Sequence, residues 1–160
     1  MDQNFPHREL TGRIIGAFQE THRELGSGFS EKVCRNALAI VIADKGLRAD
    51  MEVPLTVRFR GRLIGRFFAD IVVNDTILIE VKAASTLEPY AQAQLLNYLK
   101  AAGGGVGLVV NFGRSAQHKR MIMGDGVNSL PGLRRGPALP THAKAGDGST
   151  PPPPAAEPLS

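Results

Sequence analysis

Cysteine is almost absent from this chain of 160 residues, and its single copy, Cys34, has no partner for an internal disulfide. A reducing setting such as the cytosol is therefore the default expectation. The sequence also lacks any apolar run near the roughly 20 residues that a membrane-spanning helix requires. Its first residues lack the basic-then-apolar order of a signal peptide. We therefore predict a cytoplasmic protein with no membrane partner.

Nucleophilic catalysis has no visible basis either, because neither a serine nor Cys34 is framed with a nearby histidine in a recognisable arrangement. Charge of one sign is only mildly in excess, since 19 Lys and Arg against 15 Asp and Glu give a net charge of +4. This balance permits a nucleic-acid partner without requiring one. The length and the 42% apolar share suit one globular domain with a real core.

Large apolar residues become scarce after residue 123. The segment 124–160 is rich in glycine and proline, includes the run PPPP at 151–154, and shows no periodicity. Such a segment cannot bury enough surface to offset the entropy of ordering it. We predict a folded domain over residues 1–123 and a mostly disordered tail over residues 124–160.

Hydrophobic periodicity divides the predicted domain into seven elements. One helix ends at the Gly-Ser-Gly of 26–28, and Ser30 can cap a second helix that ends at Gly46. Strands are predicted over 54–59, 63–73 and 76–83, followed by a helix over 89–102 and a strand over 106–112. On the second helix the residues predicted to face the core are Val33, Ala37, Leu38, Val41 and Ile42. The order α-α-β-β-β-α-β predicts an α/β fold with a mixed sheet and helices packed against it.

Three charged residues interrupt the apolar stretch ADIVVNDTILIEVKA, which covers residues 69–83. Side chains alternate along a strand, so Glu80 and Lys82 share one face while Val81 points to the other. The position of Asp70 depends on the hairpin register, which the sequence leaves open. A loop of two residues would place Asp70 opposite Ile79, and a loop of three would place it opposite Glu80.

In the second register two carboxylates would lie about 5 Å apart across neighbouring strands. Two ionised carboxylates repel, and a hard divalent cation such as Mg²⁺ removes that repulsion by binding both. Lys82, on the same face, could then orient or activate a water molecule or neutralise charge in a phosphoryl transition state. A surface strand pair with a solvated Glu–Lys contact is the simpler alternative.

An Asp, a hairpin and then Glu-x-Lys form the signature of the PD-(D/E)XK nuclease superfamily, which this arrangement resembles. The segments HRELGSGFSEKVC, FFADIVV, LIEVKA and AQLLNYL make residues 10–123 similar to the GxxExxY family within it. The resemblance implies a metal-dependent nuclease that hydrolyses DNA, with RNA a less favoured substrate, and uses Mg²⁺ or, as a substitute, Mn²⁺. A catalytically silent module that binds nucleic acid or a protein is the alternative.

The resemblance also implies roles for individual residues. Asp70, Glu80 and Lys82 would be catalytic, and the metal ligands would be Glu31, Asp70, Glu80 and the Val81 carbonyl. The name-giving motif falls on Gly28 and Glu31, but Cys34 stands in place of its tyrosine. A Gln-x-x-x-Tyr motif falls on Gln94 and Tyr98, which share a helix face and are predicted to contact substrate.

Arginines crowd the first hairpin. Arg58 and Arg60 are predicted to share an exposed strand face, where they either contact the phosphate backbone of DNA or form a solvated edge. Small nuclease domains of this kind often dimerise to address both strands, so a homodimer is an open alternative.

Overall fold

The computed structural model describes residues 5–125 and Leu130. Its elements, in chain order, are α1 (Arg8–Leu25), α2 (Glu31–Asp44), β1 (Ala49–Phe59), β2 (Arg62–Val73), β3 (Ile77–Lys82), α3 (Pro89–Ala101), β4 (Gly105–Phe112) and β5 (Ala116–Met123). The predicted order is confirmed as far as β4. The additional strand β5, with the sequence AQHKRMIM, carries too few apolar residues in alternation to be recognised from the sequence.

The strands form one mixed sheet in the order β1-β2-β3-β4-β5. The β3–β4 pair is parallel and the other three pairs are antiparallel. Helix α3 connects the parallel strands, as such a crossover requires. One face of the sheet packs against α1 and α2 and the other against α3, so the sheet lies between two hydrophobic clusters. The apolar strand β4 is buried along its whole length, as predicted.

Helix α2 begins as the sequence indicates, because the Ser30 hydroxyl accepts a hydrogen bond from the Val33 N–H at 3.3 Å. The prediction that Val33 faces the core is wrong, since its side chain is 41% exposed and the adjacent Cys34 is fully buried. Neighbouring residues on a helix point about 100° apart, and here Cys34 points inward while Val33 points toward solvent. The smaller side chain occupies the position between α2 and the sheet.

Among the described residues no helix is both long and apolar enough to cross a membrane. Most of the predicted tail, including the run PPPP, lies outside the described residues. Leu130 is described and packs into the cluster between the sheet and α3, where it is 5% exposed. Its backbone N–H donates to the Asp75 carbonyl at 3.2 Å.

Candidate active site

The loop between β2 and β3 has the register that brings Asp70 and Glu80 together. Val73 pairs with Ile77, so the connection has three residues, and the same register continues to the Ile71–Ile79 pair. The left-handed backbone falls on Asn74 and Asp75, with φ of 51° and 53°. These residue types tolerate that conformation far better than threonine does, and Thr76 avoids it.

The backbone pairing of β2 with β3 ends at the Ile71–Ile79 pair, and beyond it the Asp70 side chain, in place of the β2 backbone, bonds to β3. Its Oδ2 accepts a hydrogen bond from the Val81 N–H at 2.7 Å. Val81 is fully buried, so this bond satisfies a donor that no water could reach. It also holds the Asp70 carboxylate beside Glu80.

A change of strand face occurs where Asp70 lies. The Val53–Ala69 pair packs in the cluster of α3, whereas the Met51–Ile71 pair packs in the cluster of α1 and α2. Residues two apart share a face in a regular strand, so the alternation is broken between these pairs. Glu52, which lies between them on β1, has φ of 52°, and this irregularity accounts for the break. The break turns Ala69 to the α3 side, whereas Asp70 already shares a side with Glu80 through the register of β2 and β3.

Glu80 is the most buried carboxylate of the site, at 4% exposure. Its Oε1 lies 3.2 Å from Lys82 Nζ. Its Oε2 is buried and has no hydrogen-bond partner within the part of the chain that the structure describes. Burial, and then the charge of Asp70, raise the pKa of Glu80 to about 7. A buried carboxylate oxygen without such a partner is suited to binding a cation.

The pKa values of the two neighbouring groups shift as well. Burial raises the pKa of Asp70, although the Val81 N–H and the charge of Arg35 oppose the rise. Burial alone would lower the pKa of Lys82, but the charges of Glu80, Glu31 and Asp70 raise it above its ordinary value. Lys82 is therefore firmly cationic at neutral pH.

The donor set fits Mg²⁺ or Mn²⁺, which bind through carboxylate oxygens and water. Asp70 and Glu80 supply two carboxylates, and no group of three or more acidic, histidine or cysteine side chains in residues 5–125 is close enough to form a complete ligand set. Glu31, exposed in the first turn of α2, acts electrostatically on Asp70, Glu80 and Lys82 and so faces the site. Its role as a metal ligand stays a prediction.

Gln94 and Tyr98 lie together next to the carboxylates. Gln94 Nε2 donates to the Tyr98 hydroxyl at 2.9 Å, and Gln94 Oε1 is buried without a partner among the described residues. Burial, and then the charge of Glu80, raise the pKa of Tyr98, whose side chain is 8% exposed. The face that these two residues share is therefore turned toward Glu80, which agrees with the sequence prediction of their common face.

The two predicted substrate-binding arginines lie at the opposite end of β2 from Asp70. The expectation that they share a strand face is wrong, because β1 ends at Phe59 and Arg60 lies in the turn with φ of 50°. Both are exposed. Arg58 donates to the Gly61 carbonyl at 3.2 Å, and the Arg60 guanidinium lies 5.2 Å from the centre of the Phe59 ring.

Sequence reasoning missed Arg35, which reaches the site from α2. Its side chain is 12% exposed, its charge lowers the pKa of Asp70, and its Nη1 lies 2.9 Å from Glu52 Oε1. The signal that could have found it is its spacing, because it lies one helical turn after Glu31 on the same face.

Asn111 was also missed, although it is a polar residue within the apolar strand β4. It is fully buried and pairs with Lys82 across the parallel strands. Its amide accepts from the Ala84 N–H at 2.9 Å and donates to the Ala84 carbonyl at 3.0 Å. Asn111 therefore fixes the chain directly after Lys82, and an amide in an otherwise apolar run was the available signal.

The fold and the site together define a class of protein: a mixed α/β domain that presents two carboxylates and a lysine where two antiparallel strands separate. The sequence profile of the PD-(D/E)XK nuclease superfamily matches residues 8–122. The chain therefore belongs to that superfamily, whose members usually hydrolyse phosphodiester bonds.

No curated protein sequence matches the chain significantly. Among solved structures, the crystal structure of a protein named SSO0001 is similar, with a TM-score of 0.42 and 14% sequence identity. The similarity covers 71% of this chain and 77% of that one.

Proposed function

We propose that this protein is a divalent-metal-dependent nuclease of the GxxExxY type that hydrolyses phosphodiester bonds in DNA, with RNA a less favoured substrate. One observation carries the proposal. The Asp70 and Glu80 carboxylates lie together, and a buried Glu80 oxygen has no partner among the described residues. Such an arrangement is costly in a protein that uses it only for stability.

Asp70 and Glu80 would hold Mg²⁺ or Mn²⁺, with the Val81 carbonyl and Glu31 as further ligands. When bound, the ion would supply an activated water molecule and stabilise negative charge on the scissile phosphate. Lys82, whose pKa is raised, is a poor proton acceptor at neutral pH. Its role would be to orient the attacking water and to offset the charge that develops on the phosphate oxygens.

Two groups of residues are proposed to contact the substrate, one next to the metal ligands and one at the far end of the first hairpin. Tyr98, whose pKa is raised by burial and by the charge of Glu80, and Gln94, which donates to the Tyr98 hydroxyl, would help to position the scissile nucleotide. Arg58 and Arg60, both exposed at the far end of the first hairpin, would contact the phosphate backbone further along the strand.

The proposal is tested by incubating the purified protein and its Lys82→Ala variant with a DNA substrate and Mg²⁺ or Mn²⁺. We expect cleavage by the wild type and a loss of about 100-fold or more for Lys82→Ala, as for removal of an electrostatic stabiliser. Lys100→Ala, which removes an exposed lysine at the end of α3, is the matched control and should cleave normally. Full activity of Lys82→Ala would contradict this mechanism.

The second candidate function is a silent module of the same fold that binds nucleic acid or a protein. The observation that favours it is Cys34, which replaces the motif tyrosine and is fully buried, so it cannot serve as a polar contact to substrate. Calorimetric titration with Mn²⁺ separates the two functions. Heat with the wild type that disappears in Asp70→Asn supports the nuclease, and no heat with either supports the silent module.

A further inference from the structure

The outer part of the β1–β2 hairpin forms a basic ribbon, which we define as residues 53–69. Beyond Ile71, β2 has no pairing with β3, so the ribbon continues with only two strands. It contains four arginines and no aspartate or glutamate. All four arginines are exposed, and they are Arg58, Arg60, Arg62 and Arg66. A surface of this charge is complementary to a polyanion.

One aromatic ring of the ribbon, that of Phe67, lies next to Tyr98 at the edge of the candidate active site. Phe67 lies on the α3 side of the ribbon, where its ring centre is 5.2 Å from that of Tyr98 and tilted by 40°. Tyr98 in turn lies close enough to Glu80 for the charge of Glu80 to raise its pKa. The order from the carboxylates outward is therefore Glu80, Tyr98, Phe67.

The Phe67 ring is only partly covered. Its side chain remains 38% exposed, although Tyr98 packs against it. The next residue on the same side of β2 is Gly65, which has no side chain to cover the ring. An open aromatic surface thus lies between the carboxylates and the three arginines at the tip of the ribbon, Arg58, Arg60 and Arg62. Arg66 is adjacent to Phe67 and lies on the opposite face.

From this arrangement we propose that the substrate is a nucleic-acid strand with unpaired bases, and that Phe67 stacks on a base next to the scissile phosphate. In a duplex both faces of each base are covered by its neighbours, so a ring can contact a base face only where the strand is single or locally opened. Arg58, Arg60 and Arg62, at the tip of the ribbon, bind the phosphates that follow. This inference rests on the proposed function, because it assigns the substrate of the same site.

Two other occupants of the ribbon agree less well with its composition. A protein partner would use the exposed apolar side chains, but four arginines without one acidic residue would then repel each other in the interface. A duplex would be held by the arginines alone through its phosphates. A duplex would leave the open Phe67 ring, which lies beyond Tyr98 as seen from Glu80, without a contact.

The test is a binding measurement in EDTA, where no cleavage can occur. Fluorescence anisotropy would compare a labelled single strand of about 20 nucleotides with the corresponding duplex, at the site size typical of such surfaces. The variants are Phe67→Ala, Phe67→Leu, which keeps an apolar side chain, and Phe67→Trp, which keeps an aromatic ring. Phe68→Ala is the matched control, because Phe68 is the adjacent residue on the opposite side of the ribbon and is more exposed, at 54%.

We expect the wild type to bind the single strand more tightly than the duplex. Phe67→Ala and Phe67→Leu should each lose about tenfold in affinity for the single strand, or about 1.4 kcal/mol, which is within the range for one base stacked on an aromatic ring. Phe67→Trp and Phe68→Ala should stay within about twofold of the wild type. Thermal denaturation of each variant shows that a loss of binding is not a loss of folding.

Tighter binding of the duplex, equal effects of Phe67→Leu and Phe68→Ala, or no binding of either nucleic acid would overturn the inference. Metal-dependent cleavage of a duplex by a protein that fails this test would leave the proposed nuclease function intact. Conversely, single-strand binding that depends on Phe67, without cleavage of any nucleic acid in Mg²⁺ or Mn²⁺, would contradict the nuclease function alone.

Discussion

The two halves of strand β2 differ sharply although the chain runs through them without interruption. Residues 71–73 pair with β1 on one edge and β3 on the other and are completely or almost completely buried. Residues 62–68 pair only with β1, and they expose Leu63, Ile64 and Phe68. The inner half therefore serves the core, whereas the outer half leaves apolar and basic side chains exposed.

Asp70 lies where the inner half meets the outer half, and this position explains its chemistry. The buried side supplies the low-dielectric surroundings that raise the pKa of the Asp70 carboxyl. In the proposed nuclease, the open side would give a metal ion, water and a phosphate access to the same carboxylate.

The largest difference between the two halves is expected in how much a substitution lowers the free energy of unfolding. Ile79, which pairs with the inner half, is fully buried, and Ile79→Ala should lower the free energy of unfolding by about 2–5 kcal/mol because it leaves a cavity. Ile64, in the outer half, is 62% exposed, so Ile64→Ala should change it by less than about 0.5 kcal/mol. Urea denaturation of both variants measures the difference, and comparable losses would show that the outer half is not independent of the core.

The sequence predicted the elements of the core because each of them carries its own periodicity. It did not predict the hairpin register, since either loop length keeps apolar residues on a buried face. The register depends on Asn74 and Asp75, which accept the left-handed backbone. It also depends on two hydrogen bonds, in which the Arg48 N–H donates to Asn74 Oδ1 and the Asn74 N–H donates to the Arg48 carbonyl. The sequence alone contains no sign of these hydrogen bonds, because the two residues are distant in the chain.

The site residues that belong to a sequence motif could be predicted, whereas those that reach the site only through tertiary contacts could not be assigned a role. Asp70, Glu80 and Lys82 could be selected as charges within apolar strands. The spacing of Arg35 places it on the helix face of Glu31, but its effect on Asp70 exists only after α2 packs near the irregular Glu52 position. A local spacing rule contains no information about contacts between elements that are distant in the chain.

The pH dependence of stability should reveal the burial of Glu80. Its pKa is about 7 in the folded protein against an ordinary value of 4.5. Between these two pH values the folded state keeps a proton that the unfolded state has released, so stability falls as the pH rises. In EDTA, we expect the metal-free protein to lose up to about 3 kcal/mol between about pH 5 and about pH 8.

Glu80→Gln is the control for this prediction, because glutamine does not titrate and every other titrating group is retained. Its free energy of unfolding should vary less over the same range, as measured by urea denaturation at each pH. Equal slopes for the wild type and Glu80→Gln would show that Glu80 is not the group responsible.

A smaller effect should separate two substitutions of Asp70, where the halves of β2 meet. Asp70→Asn and Asp70→Ala both remove the charge and any repulsion of Glu80, but only asparagine keeps an oxygen that can accept from the buried Val81 N–H. Asp70→Ala should therefore be less stable than Asp70→Asn by about 1–3 kcal/mol, the cost of an unsatisfied buried donor. Denaturation in EDTA and hydrogen exchange at the Val81 amide measure the difference. If the two variants are equally stable and exchange equally fast, the Asp70 side chain does not replace the missing backbone pairing of β2, and the boundary between its halves has another cause.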